Sequence, residues 1–84
     1  MRMSTLAEML EDLGFEVEEL DHDMLGARIS WEGGEIVITA TPDEVTVERP
    51  TNPRYGMKTY RGRTIGFVKS MLERMMRNDG FGDY

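Results

Sequence analysis

The sequence predicts an α+β domain: an antiparallel three- to four-stranded meander with one face covered by an N-terminal and a C-terminal helix, in the order α-β-β-β(-β)-α. Three observations carry this expectation. Apolar residues recur with helical spacing in two segments only, near Leu6–Leu13 and Ile65–Met76. Between them, apolar and polar residues alternate with the period of a half-buried strand. The links between the alternating runs are too short to join parallel strands.

The first helix is expected from about Thr5 to Leu13. Thr5 and Glu8 have the spacing of a capping box. Leu6, Met9, Leu10 and Leu13 form one stripe, which leaves Glu8, Glu11 and Asp12 on the wet face. Gly14 supplies the left-handed conformation that ends many helices. FEVEE (15–19) then alternates, with Phe15 and Val17 inward and Glu16 and Glu18 outward. Leu25, Ala27, Ile29 and Trp31 share the inward face of the next strand, and Glu32-Gly33-Gly34 reads as a hairpin loop. Ile36, Ile38 and Ala40 continue that face in a third strand. Thr41-Pro42-Asp43-Glu44 is a turn signal, because Pro presets φ at the second position. A fourth strand runs from Glu44 to Arg49, with Val45 and Val47 inward and Glu44, Thr46 and Glu48 outward.

Pro50 and Pro53 bracket a loop, after which a short extended piece is expected at Met57–Tyr60. The second helix spans about Ile65 to Arg77 behind an N-cap at Thr64. Its buried stripe is Ile65, Val68, Met71, Leu72, Met75 and Met76. Asn78-Asp79-Gly80 stops it. Residues 1–77 thus form one domain, and 78–84 are expected to be a flexible tail.

Eighty-four residues support one small core. The chain contains no cysteine, which removes disulfides, thiolate nucleophiles and sulfur-based metal sites. No run of residues is long and apolar enough to span a membrane, and no secretory signal is apparent at the N-terminus. A reducing cytoplasm, that of a host cell if the gene is viral, is the expected location.

Charge divides unevenly. Residues 1–48 hold 13 Asp or Glu against 2 Arg, a balance of −11; residues 49–84 hold 8 Lys or Arg against 3 acids, a balance of +5. The second half opens on RYGMKTYRGRTIG (54–66), which is basic, aromatic and free of acids. Arg54, Lys58, Arg61 and Arg63 with Tyr55 and Tyr60 combine charges for phosphates with rings for stacking. Yet the chain as a whole carries −6, and a polyanion would meet repulsion from the acidic sheet. Internal neutralisation and helix entry are therefore the first expectation for this stretch, and nucleic-acid contact the second.

LAEMLEDLGFEV (6–17) and RTIGFVKSML (63–72) resemble the opening and closing segments of the double-stranded-RNA-binding fold, including the small HicA-type mRNA-cutting toxins. That resemblance implies three strands between two helices. Those toxins carry a glycine-serine-histidine stretch where this chain reads DHDMLG, and they are usually basic. In composition and element order the chain is also similar to small, acidic, phage-encoded anti-CRISPR proteins. No shared motif carries either likeness to a family assignment.

Catalytic signals are weak. His22 is the only histidine, set between Asp21 and Asp23, and neighbouring residues rarely converge on one ion. A solvated loop histidine is expected, with a catalytic His22 in a toxin or hydrolase as the remote alternative. Ser4, Ser30 and Ser70 lie outside any strand-turn-helix elbow. No catalytic residue, metal or cofactor is assigned.

The acids offer more. Strand alternation projects Glu16, Glu18, Glu44 and Glu48 from one sheet face, and Glu8 and Asp12 add charge from the first helix. Carboxylates on a rigid scaffold complement a basic groove built for phosphates. The leading expectation is a non-enzymatic protein that binds a basic protein partner, such as a phage-type inhibitor of a nucleic-acid-processing machine. The alternative is a small nucleic-acid-binding protein using residues 54–63. Homodimerisation through a sheet edge or the Met-bearing helix is compatible with both.

Overall fold

A computed structural model describes residues 1–31, 34–50 and 57–77, with the side chains of Trp31, Pro50 and Met57 outside that set. The elements are α1 (Met3–Asp12), β1 (Glu16–Asp21), β2 (Met24–Trp31), β3 (Gly34–Ala40), β4 (Val45–Pro50), β5 (Met57–Gly62) and α2 (Ile65–Arg77). The strands form one antiparallel sheet in the order β1-β2-β3-β4-β5, so each pairs with its neighbours in sequence. This is the expected α+β meander between two helices, with five strands.

Helix α1 begins earlier than its sequence signal. Arg2 is the N-cap without a side-chain cap hydrogen bond, and its carbonyl accepts from the Leu6 N–H at 3.0 Å. Thr5 therefore lies inside the first turn, and the Thr5–Glu8 capping box does not form. Tertiary anchoring overrides it. Met1 and Met3 pack against the core, and the N-terminal ammonium donates to the Pro42 carbonyl at 3.1 Å. The other end follows the sequence closely. Gly14 takes φ +101°, its N–H reaches the Glu11 carbonyl, and the Phe15 N–H reaches that of Leu10. This pair of bonds is a Schellman motif, and Phe15 is buried beside Leu10 in the same core.

The strand register defines two faces. On the inner face, Glu19, Leu25, Ala40, Val45 and Gly62 form one row across all five strands. Val17, Ala27, Ile38, Val47 and Tyr60 form the next. Leu6, Met9 and Leu10 of α1 and Val68, Met71, Leu72 and Met75 of α2 close over these rows. Helix α1 packs on β1 and β2, and α2 packs on β5. Helix α2 has the limits its sequence predicts, and Thr64 Oγ1 accepts from the Phe67 N–H at 3.2 Å. The β3–β4 turn also forms as expected, with the Thr41 N–H on the Glu44 carbonyl at 2.9 Å; β4 itself starts one residue later, at Val45.

Strand β5 extends beyond the piece expected at Met57–Tyr60, and it pairs with all of β4 from Pro50↔Met57 to Val45↔Gly62. Its inward positions are Lys58, Tyr60 and Gly62, which carry no apolar alternation. Gly62 is required there because a Cβ would come within 2.8 Å of Phe67 and 2.9 Å of Val68. Close approach of α2 thus replaces the side chain that a strand pattern would show. The Glu32–Gly34 loop, the Asn78–Gly80 helix stop, the 78–84 tail, Arg54 and Tyr55 fall wholly or partly outside the described residues.

Candidate functional site

No described helix covers the outer face of the sheet. Its first row is Glu18, Gly26, Thr39, Thr46 and Arg61, and its second is Glu16, Arg28, Val37, Glu48 and Thr59. Glu35 extends the carboxylates beside Val37. Glu16, Glu18 and Glu35 are exposed, whereas Val37, Thr39, Thr46 and Glu48 are half-buried. A shallow depression of about 300 Å³ lies over Gly26 and Val37, rimmed by Glu16, Glu18, Arg28 and Glu35. Leu20, 51% exposed, leans over Gly26 because glycine leaves that space open. Arg28 Nε approaches Glu16 Oε2 at 3.8 Å, and both groups are well exposed. An ion pair at that distance in water contributes little.

The expected acidic array divides in three. Glu16, Glu18 and Glu48 share the outer face. Glu44 sits just before β4, lining a surface depression with Arg61 and Arg63 at the β5–α2 corner. Glu8 and Asp12 are exposed on α1, which packs against the inner face, so the sheet separates them from the outer carboxylates.

The basic segment also divides. Lys58 and Tyr60 lie on the inner face of β5 and Arg61 on the outer, because side chains alternate along a strand. Lys58 Nζ stands 5.8 Å from the Tyr60 ring centroid. Arg63 is exposed in the β5–α2 link. Lys58, Arg61 and Arg63 form no ion pair with a described residue. Strand β5 occupies the opposite edge from β1, about 19 Å away at four strand spacings. The described part of the segment thus lies beside β4, with Arg61 and Arg63 around the same depression as Glu44, and away from the acids of β1.

Sequence reading passed over Arg49. Its position is at the inward parity of β4, after Val45 and Val47, and it is 1% exposed. Nε donates to the Tyr60 hydroxyl at 3.1 Å, and the guanidinium carbon lies 5.5 Å from that ring's centroid. Tyr60 is thus flanked by two cations. The signal available was parity alone: the strand alternation points Arg49 inward, against the usual exposure of arginine.

His22 is 85% exposed in the β1–β2 turn. Asp21 Oδ1 lies 3.3 Å from Nδ1 and Asp23 Oδ2 lies 3.2 Å from Nε2, so the two aspartates bracket the ring. The Asp21 carboxylate also accepts from the His22 N–H at 2.8 Å. Among the described residues no cluster of three His, Asp or Glu groups converges to hold a metal ion. No described helix is long and apolar enough to cross a membrane. Compared with protein-family models, curated proteins and solved structures, the chain matches none.

Proposed function

We propose that the protein is a non-enzymatic binding module that docks a basic protein surface on the outer face of its sheet. The observation that carries this reading is the uncovered face itself. Half-buried Val37, Thr39 and Thr46 form a floor among Glu16, Glu18, Glu35 and Glu48. Such a surface offers apolar area at its centre and charge at its rim, the usual anatomy of a protein interface. Same-face carboxylates on one strand repeat about every 6.8 Å, and evenly spaced anions on a rigid sheet suit a groove lined to receive phosphates. Inhibition of a nucleic-acid-processing protein by occupying its basic groove is the form of this activity that the charge arrangement fits best.

The test compares the wild type with a Glu16→Lys/Glu18→Lys/Glu48→Lys variant. Nuclease-treated lysate is passed over each, and a captured protein is purified and titrated by calorimetry. Binding at least about tenfold weaker for the variant supports the reading. Equal affinities for the two would remove the outer face from the interaction.

A further inference from the structure

We infer that the protein associates with further copies of itself head to tail, the β5–α2 flank of one copy seating against the β1–α1 flank of the next. This uses the edges of the sheet, shares Glu16 and Glu18 with the outer face, and is tested at Ser4, Glu19 and Phe67, which the outer-face reading does not use, so it can fail independently of that reading.

Both edge strands carry one sign of charge. Strand β1 is exposed at five of its six positions and displays Glu16, Glu18, Glu19 and Asp21. Strand β5 displays exposed Lys58 and Arg61, followed by Arg63. The helix layer leans the same way. Helix α1, on the β1 side, exposes Glu8, Glu11 and Asp12; α2, on the β5 side, exposes Lys69, Arg74 and Arg77 against one acid, Glu73. Pairing β1 with β1, or β5 with β5, sets like charges opposite each other, which is destabilising. Pairing β1 with β5 sets opposite charges together along the two strands.

Shape follows the same division. Between α1 and β1 lies a groove of about 280 Å³, with Met3, Ala7, Val17 and Met24 among its walls. At the other edge, Phe67 is 52% exposed and packs on Gly62 at the start of α2. Gly62 stands in the inner-face row that ends, on β1, at Glu19 beside Leu25, and both of these line the groove. Displacing a copy along the hydrogen-bonding direction of the sheet therefore carries Phe67 toward the groove at matching height and in the same layer. The outer backbone edges of β1 and β5, which no described strand pairs with, meet in that arrangement, as in strand addition at an open edge. Because the two surfaces differ, the contact is heterologous and generates chains or rings rather than an isologous dimer.

Sedimentation velocity from about 10 μM to 1 mM protein, in low salt and in about 0.5 M NaCl, provides the measurement. The wild type is expected to gain mass with concentration in low salt and lose that gain in high salt. Two variants each disable one flank: Phe67→Glu on the α2 side, and Ser4→Arg/Glu19→Lys on the groove side. All three substituted positions are exposed, and circular dichroism checks that both variants fold. Each alone is expected to remain monomeric. Mixed in equal amounts they are expected to form a dimer and nothing larger, since each retains the flank the other lacks. A wild type that stays monomeric at 1 mM, self-association unchanged by Phe67→Glu, or a mixture without dimer overturns the inference.

Discussion

Arg49 and Tyr60 show how one side chain at the wrong polarity for its position is accommodated. A guanidinium at 1% exposure has left water, and its Nε hydrogen bond to the Tyr60 hydroxyl at 3.1 Å replaces part of that solvation. Tyr60→Phe keeps the ring and deletes the acceptor. Hydrogen bonds to a charged group contribute about 1.5–3 kcal/mol, so urea denaturation is expected to show a loss of that size with an unchanged m-value. Unchanged stability would mean that the bond contributes nothing net. At this scale alternation made the valines of β4 legible, but residue type hid Arg49. A composition-based reading sends arginine to the surface, and only pairing with β5 shows what receives it.

The elements differ in how plainly they announce themselves. Helix α2 was legible to its limits because Thr64, the apolar stripe and the basic last turn all point the same way. At α1, a sound local cap was displaced by anchoring of Met1 and Met3, which no local pattern encodes. Strand β5 was half hidden, because its contribution to the core is an absence at Gly62. The close approach of α2 makes that absence testable. Gly62→Ala drives a methyl against Phe67 and Val68, and overpacking of this kind costs about 1–3 kcal/mol. Adding Phe67→Ala removes one of the two obstructing side chains, so the double variant should recover part of the loss in thermal denaturation. Strictly additive effects would show that Phe67 is not what the new methyl meets.

Across the whole molecule, the sequence disclosed that charge was uneven but not where the unevenness lay. A split between residues 1–48 and 49–84 is a fact about chain order. It becomes a fact about space only because the sheet order is also chain order, placing β1 and β5 at opposite edges. Had the last strand paired beside the first, the same residues would have neutralised one another. The outer-face acids of the candidate site were legible from alternation. Glu8 and Asp12 belong to the helix layer on the other side of the sheet, a separation that already follows from covering the apolar face with both helices.

That same neighbour-to-neighbour order has a kinetic consequence. Every strand finds its partner across a short stretch of chain, so no long loop must close before pairing begins, and the entropy of each closure stays small. The hairpin of β2 and β3, paired over seven residues from Leu25↔Ala40 to Trp31↔Gly34, is the longest ladder and offers a nucleus from which pairing can spread both ways. Stopped-flow refolding is expected to show a main phase within ~10 ms. Ala27→Gly on β2 should slow that phase, whereas Val17→Ala on β1 should mainly speed unfolding. The reverse assignment would place the start of folding at the edge of the sheet instead of its centre.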